Sequence, residues 1–199
     1  MNEKEPNILY KAVRKAARLI FDTSSASWFE RDLSGDIPEA LPEVEVTVSC
    51  DTEETVAWID AHGEKWMKNK KELAVARRQG HVYPNIRHNG QLIGYMKAGT
   101  GKVYIDDFKE TVRFPRECAF FYDIYVAEGF RGKGLASFIA ARMMRHVKEK
   151  GCKRVQLHIP GWNKASLSVA RKLGFREFCR IRSFRLLNCV RFRKTTPLP

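Results

Sequence analysis

The sequence has no long apolar run, and its first residues lack the pattern of a secretory signal. No stretch of about 18 consecutive apolar residues occurs in the 199-residue chain, so no bilayer-spanning helix is expected. Residues 1–6 include Glu3 and Glu5 and have no apolar segment close behind them. These absences predict a cytoplasmic protein.

The cysteines form no metal-binding or disulfide pattern. Cys-x-x-Cys pairs and cysteine–histidine clusters, which are typical of zinc sites, do not occur. The five cysteines are odd in number and widely spaced: Cys50, Cys118, Cys152, Cys179 and Cys189. We therefore expect reduced thiols and no metal site.

Acidic residues are scarce in the second half of the chain. The formal net charge is +13, from 36 Lys and Arg against 23 Asp and Glu. Residues 1–100 contribute 14 basic and 15 acidic residues, whereas residues 101–199 contribute 22 and 8, a net charge of +14. A half this basic is expected to attract an anionic partner: a phosphate-bearing ligand, a nucleic acid or an acidic membrane surface.

The chain is long enough for one domain with a single core, which we place at residues 43–194. Before it, residues 7–22 predict an amphipathic helix whose basic face also suits peripheral membrane contact. Residues 23–42 predict a linker or packed loop. Residues 195–199 are expected to form a frayed tail.

The first half of the domain predicts a strand, two helices and antiparallel strands. Residues 43–48 alternate acidic and apolar side chains, as a half-buried strand does. Asp51 is an N-cap candidate with Glu54 three residues on; Gly63 is expected to break the helical pattern that follows. A hairpin is predicted at residues 88–90, His-Asn-Gly.

A glycine-rich turn between a strand and a helix dominates the second half. Residues 120–126 are apolar, β-branched or aromatic and predict a buried strand, and residues 135–150 have helical spacing. The intervening Arg131-Gly132-Lys133-Gly134 places glycines before a helix N-terminus, where free N–H groups and the helix dipole favour phosphate. Neither the dinucleotide-binding pattern nor a Walker A loop fits this spacing.

Two motifs resemble those of the GNAT-type N-acetyltransferases. Arg131-x-x-Gly134-x-Ala136, after the strand, resembles the family's acetyl-CoA signature. Asn163, followed by a helix that ends in Lys172-x-Gly174-Phe175, resembles its second signature. The resemblance covers residues 43–185, most closely 118–178. It implies a mixed α/β (α+β) fold: a central, mostly antiparallel twisted sheet with a splayed central strand pair, flanked by helices.

The resemblance also implies acetyl-CoA as cosubstrate and an amine acceptor, without a metal. The pantetheine arm would lie along the splayed strand, and the diphosphate would lie on the amides of the turn. The implied binding residues are Ile124, Tyr125, Val126, Arg131, Gly132, Lys133, Gly134, Leu135, Ala136, Asn163 and Ser166.

Three residues are candidates for the group that removes the proton of the amine. His158 lies on the strand before Asn163, where several family members carry a glutamate, and histidine suits proton transfer at neutral pH. Asp123 lies two residues before Tyr125, at a strand position that is often acidic in the family, and is either the base or an amine-binding group. Glu117 is a weaker third candidate. For His158 and Asp123, a structural partner within the fold is the alternative.

The family's general acid, a tyrosine seven residues after the asparagine, is replaced here by Ala170. Ser166 offers a hydroxyl nearby, and a thiolate is a fair leaving group because a thiol ionises at about pH 8.5. Two rivals therefore stay open: an acyltransferase that uses another acyl-CoA or an acyl-carrier protein, and a catalytically idle acyl-CoA sensor or nucleic-acid-binding module. The basic last segment, residues 171–194, is either a solvated surface that keeps the protein soluble or a site for an anionic acceptor.

Overall fold

A computed structural model describes residues 21–64, 67–186 and 190–197. These residues contain four α-helices and ten β-strands. The helices are α1 (Thr52–His62), α2 (Lys70–Gln79), α3 (Leu135–Glu149) and α4 (Lys164–Lys172). The strands are β1 (Phe21–Asp32), β2 (Thr47–Ser49), β3 (Asn85–His88), β4 (Gln91–Thr100), β5 (Lys102–Ile105), β6 (Glu110–Arg113), β7 (Cys118–Val126), β8 (Arg154–Pro160), β9 (Arg176–Leu186) and β10 (Val190–Pro197).

Eight strands form one twisted sheet in the order β10-β9-β1-β8-β7-β4-β3-β2. Strands β7 and β8 pair in parallel at its centre, and the other neighbours are antiparallel. Strands β5 and β6 form a separate antiparallel hairpin. The predicted mixed fold with a mostly antiparallel sheet is confirmed.

The helix ends follow the capping signals in the sequence. The Asp51 carboxylate accepts a 3.0 Å hydrogen bond from the Glu54 amide and begins α1. Gly63 is the C-cap of α1, and Gly80 ends α2 in the left-handed conformation, with φ 67°. The hairpin between β3 and β4 turns at Asn89 and Gly90, both with positive φ, as predicted.

The sheet is covered on both faces. On one face, α3 and α4 bury residues such as Leu135, Ile139 and Ala170 against Phe121 of β7 and Val155 of β8. On the other face, three smaller clusters pack Trp28 and Phe120 against the β5–β6 hairpin, and α1 and α2 against tyrosines of the sheet. Of the helices that the structure describes, none is long and apolar enough to span a bilayer.

The loop expected over residues 23–42 is wrong for residues 23–32. Strand β1 lies inside the sheet between β8 and β9. Its sequence, FDTSSASWFERD, shows little hydrophobic alternation, and a register shift between Trp28 and Phe29 interrupts the two-residue period. Pairing on both sides, rather than intrinsic propensity, makes this segment a strand.

Other expectations at the edges of the chain need smaller corrections. Residues 7–20 of the helix expected at residues 7–22 lie outside the described part of the chain. The last two, Phe21 and Asp22, belong to β1. The strand expected at 43–48 is limited to β2, Thr47–Ser49. Residues 195–197 are not a frayed tail, because they pair with β9 as the end of β10.

Candidate active site

The central parallel pair separates partway along its length. Strands β7 and β8 are paired from Cys118 with Arg154 to Phe121 with Leu157. Beyond that point β7 continues to Val126 along β4, whereas β8 continues to Pro160 along β1. The result is a cleft between residues 122–126 and residues 158–160, which we call the β7–β8 cleft. The predicted splayed pair is therefore present.

The backbone of β7 directs alternate residues into this cleft. The Ala127 amide donates to Ile93 O at 2.8 Å, so Ala127 faces β4. Because an antiparallel ladder alternates, Tyr125, opposite Tyr95, also faces β4, whereas Ile124 and Val126 face away from it. Of the three predicted pantetheine residues, only Ile124 and Val126 therefore offer main-chain groups to the cleft. Val126 O accepts a 3.2 Å hydrogen bond from Arg131 Nε.

The glycine turn leads from the cleft to the N-terminus of α3. Gly132 and Gly134 have φ of 81° and 77°, a conformation that favours glycine. Gly134 is the N-cap of α3 and provides no side chain to its first turn, which begins at Leu135 and Ala136 and contains no acidic residue. The first-turn amides of α3 therefore retain their capacity to bind an anion. The Lys133 ammonium lies over the Phe130 ring, 5.2 Å from its centroid.

A segment outside the predicted motifs packs against this turn. The Glu43 amide donates to Lys133 O at 3.1 Å. A Cβ atom at Gly134 would lie 3.1 Å from Leu41 O, which is tight, whereas one at Gly132 would meet open space. Gly134 therefore needs both its positive φ and its lack of a side chain.

The second motif lies at the other side of the cleft, after β8. The Asn163 side chain accepts a 3.1 Å hydrogen bond from the Ser166 amide and caps α4. Trp162, just before it, is 81% exposed, which is unusual for a large aromatic side chain. Sequence reasoning did not select Trp162, although its place next to Asn163 could have identified it.

His158 faces the side of the sheet opposite α3 and α4. Its ring packs against Trp28, Phe108 and Phe120, with centroids 5.6–5.8 Å away. Its Nε2 lies 2.8 Å from Asp107 Oδ2, and this hydrogen bond lowers the pKa of the Asp107 carboxyl. Its Nδ1 is buried and has no hydrogen-bond partner in the part of the chain that the structure describes.

Asp123 lies on the same face of the sheet, across the cleft from His158. It follows a bulge in β7, because Lys97 of β4 pairs with Asp123 while the next residue, Ala98, pairs with Phe121. Its Oδ2 accepts a 3.2 Å hydrogen bond from the Tyr95 hydroxyl and lies 3.2 Å from Lys97 Nζ. The structure thus places both Asp123 and His158 beside the β7–β8 cleft.

Two further expectations can now be located. Glu117 precedes β7 at the paired end of the strand, where its carbonyl accepts from the Lys153 and Arg154 amides. It is therefore remote from the cleft. Ala170, at the position of the family tyrosine, is 2% exposed and packs in the core between α4 and the sheet. This position therefore offers no proton donor to the cleft.

Metal ligands are not grouped in the described part of the chain. No cluster of three or more His, Cys, Asp or Glu side chains there is arranged to hold a metal ion. The described cysteines, Cys50, Cys118, Cys152 and Cys179, are free thiols.

Comparison with known proteins identifies the family. Residues 47–175 match the model of the Acetyltransferase (GNAT) family. The chain therefore belongs to the GNAT acetyltransferases, and its cleft, glycine turn and α3 N-terminus lie within the matched residues.

Curated relatives are similar over a short stretch. Bovine thialysine N-epsilon-acetyltransferase is 30% identical over 70 residues, which is 35% of this chain and 39% of the relative. The uncharacterized N-acetyltransferase YdgE of Bacillus subtilis is 33% identical over 61 residues, 31% of this chain and 39% of the relative. The matches thus span well under two thirds of either relative.

Solved structures share the fold at low identity. The glucosamine N-acetyltransferase region of a fungal multi-domain β-N-acetylglucosaminidase has a TM-score of 0.60 at 15% identity, covering 90% of this chain and 23% of that one. A GCN5-related N-acetyltransferase from Sphaerobacter thermophilus has a TM-score of 0.58 at 12% identity, covering 88% of this chain and 56% of that one. These likenesses establish the fold and leave the acceptor undefined.

Proposed function

We propose that this protein transfers the acetyl group of acetyl-CoA to a primary amine. The observation that carries the proposal is the continuity between the β7–β8 cleft and the N-terminus of α3, where the N-cap Gly134 supplies no side-chain hydrogen bond. A thioester lying in the cleft and a diphosphate lying on the glycine turn would be held by one continuous stretch of backbone, residues 124–136.

The residues present fit acetyl-CoA as donor substrate. Main-chain groups of Ile124 and Val126 can pair with the amides of a pantetheine arm as an added strand would. The amides of residues 132–136 would bind the diphosphate, and the positive end of the α3 dipole would support them. Asn163 already caps α4, and its NH₂ group would be the donor available to pantetheine.

The transfer requires the acceptor to lose a proton before attack. Asp123 or His158 would take a proton from the ammonium, and the nitrogen lone pair would then form the C–N bond as the C–S bond breaks. The acetylated nitrogen then loses its second proton to solvent, and the departing thiolate takes up a proton from solvent, directly or through the Ser166 hydroxyl. Because both reactants are bound, positioning supplies a large part of the rate gain.

The groups beside the cleft favour an acceptor without a negative charge. The basic strands β9 and β10 are separated from the cleft by β1 and β8 in the sheet. Asp123, Tyr125 and half-buried Trp58 are closer to it, with the Trp58 and Tyr125 ring centroids 5.7 Å apart. Aromatic faces beside a carboxylate attract cations. The bovine relative is named as an N-epsilon-acetyltransferase of thialysine.

The experiment has a binding arm and a turnover arm. Calorimetry with CoA and acetyl-CoA tests the donor site, and thiol release with four amines tests transfer: thialysine, n-butylamine, 1,4-diaminobutane and 4-aminobutanoate. We expect CoA binding, and turnover that is higher for the diamine than for 4-aminobutanoate. CoA binding without turnover would support the idle sensor instead, and absence of CoA binding would overturn the proposal. A strong preference for 4-aminobutanoate would restore the anionic acceptor that the charge distribution suggested.

A further inference from the structure

Three charged side chains from separate elements meet beside the β7–β8 cleft. Lys97 Nζ of β4 lies 2.8 Å from Glu72 Oε1 of α2 and 3.2 Å from Asp123 Oδ2 of β7. We call Glu72, Lys97 and Asp123 the acid–lysine triad. The Lys97 side chain is 3% exposed, and those of Glu72 and Asp123 are 12% and 16% exposed. The ammonium is therefore largely removed from water and shared by two carboxylates.

The charge balance of the triad is unusual for a purely structural contact. One ammonium neutralises one carboxylate, so the ionised triad has a net charge of −1. Burying ions is costly, and replacing a buried ion cluster by apolar residues is often neutral or stabilising. A second buried carboxylate adds to this cost without a second cation. The position of this second carboxylate beside the cleft therefore points to a role in the reaction.

The three members of the triad differ in how close they lie to the cleft. Asp123 lies on the part of β7 that has left β8, next to Ile124, whose backbone faces the cleft. Lys97 is its direct neighbour across the ladder. Glu72 reaches Lys97 from the helix behind, and Lys97 Nζ also donates to Met67 O at 3.4 Å. Asp123 alone is placed to contact an acceptor.

We propose that Lys97 and Glu72 are positioning residues for acetyl transfer, which orient Asp123 and tune its basicity as the acceptor's base. This inference rests on the proposed function. Lys97 and Tyr95 both lie on Oδ2 of Asp123, which leaves Oδ1 for the acceptor. The proton passes from the ammonium nitrogen to Asp123, and Lys97 keeps its own proton. Glu72 lies 2.8 Å from Lys97 Nζ and offsets part of the charge that Lys97 presents to Asp123.

The charges of the triad members affect one another's pKa values. Burial raises the pKa of Glu72, although Lys97 opposes this effect. Burial also opposes the protonation of Lys97, but the attraction of Asp123 and Glu72 outweighs it, so that the pKa of Lys97 is raised. The other titratable groups that face the triad are Asp106, Tyr83, Tyr95, Tyr122 and Tyr125. None of the five supplies a cation.

The test follows the Asp123 carboxyl carbon by ¹³C NMR as a function of pH, with assignment from Asp123→Asn. Glu72→Gln removes a charge that repels ionised Asp123, so its titration is expected to move to lower pH by about one unit or more. Lys97→Met removes the attractive charge and is expected to move it to higher pH. Glu53→Gln, on α1 in an exposed pair with Arg77, is the matched control and leaves the titration in place.

Kinetics and folding controls complete the experiment. If Lys97→Met does not fold, the double variant Glu72→Gln/Lys97→Met replaces it, because it keeps the net charge of the parent triad. Asp123 is expected to titrate at higher pH in this double variant than in Glu72→Gln. The acidic limb of kcat/KM for the best amine of the four is expected to follow the NMR titration, with CoA affinity unchanged. A merely structural triad would change stability and leave that limb in place.

The outcomes separate this inference from the proposed function. An Asp123 titration at the parental pH in both the Glu72 and the Lys97 variants would overturn the positioning role, whether or not amines turn over. The positioning role would also be overturned if the Asp123 titration shifted in a variant and the acidic limb of kcat/KM did not shift with it. If the parent protein did not bind CoA, that result would count against the proposed function and would leave the NMR result unchanged.

Discussion

The Nε2 atom of His158 lies 2.8 Å from Oδ2 of Asp107, which joins strand β8 to the short helical turn after β5. This contact occupies one ring nitrogen and leaves Nδ1 without a hydrogen-bond partner among the described residues. The histidine that the sequence selected as a base is thus also a structural member of an aromatic cluster.

The His158–Asp107 contact predicts a shift in acid stability. It lowers the folded-state pKa of Asp107 below its ordinary value of 3.8, so it contributes stability above that pH and loses it as pH falls through the lowered pKa. His158→Asn removes the partner that can carry a positive charge. We therefore expect acid unfolding, followed by circular dichroism, to begin at higher pH in His158→Asn. His88→Asn, at the half-buried end of β3, is the control; equal shifts in the two variants would contradict the assignment.

Two variants distinguish the candidate bases. If Asp123 takes the proton, Asp123→Asn is expected to lower kcat by about 100-fold or more, because general base catalysis is worth that much. His158→Asn should lower it less, through the packing of Trp28 and Phe120. The measurement is kcat against pH with saturating acetyl-CoA. A larger loss in His158→Asn, with a flattened acidic limb, would assign the base to His158.

Gly134 tests the phosphate cradle by charge and by shape. Gly134→Asp places a carboxylate at the N-terminus of α3, so CoA affinity is expected to fall at least 100-fold in calorimetry, because repulsion replaces attraction there. Gly134→Asn has nearly the same shape, tolerates positive φ better than most residues, and should cost less. Gly129→Asp, in an open turn nearby, controls for the added charge. Unchanged affinity in Gly134→Asp would remove the cradle from this turn.

Trp162 is expected to report on donor binding. Its ring is 81% exposed and precedes the cap of α4 at the edge of the cleft, whereas Trp28 is 7% exposed. CoA bound in the cleft should shield the Trp162 ring and change its fluorescence, and Trp162→Phe should lose most of that change while keeping the fold. A fluorescence change of the same size in Trp162→Phe would show that the ring is remote from bound CoA.

The parts of the site that are local in sequence could be predicted. The run at residues 120–126 and the positive-φ glycines of the turn are determined by strand propensity and backbone sterics, and each acts within a few residues. The Asn163 cap is likewise a three-residue contact. These elements form as expected, and the family match covers them.

The parts that join distant segments could not be predicted. Strand β1 was expected as a loop, because Ser, Thr and Asp dominate its sequence and its pairing partners lie about 130 and 150 residues away. Glu72 and Lys97 are ordinary residues of a helix and a strand until the fold places them at 2.8 Å. A lysine in the strand β4 pattern would be read as solvent-facing, yet its side chain is 3% exposed.

The sequence by itself determined the segment that we propose binds the donor, since a strand, a glycine turn and a helix N-terminus are consecutive and their chemistry is that of the backbone. Only the tertiary structure decided the surroundings of the proposed acceptor side, where Asp123 on β7 contacts Lys97, which in turn contacts Glu72, and His158 on β8 contacts Asp107. The physical reason is that charges interact through space and not along the chain: the electrostatics of a carboxylate depend on neighbours within a few ångströms, and those neighbours come from other elements of the fold.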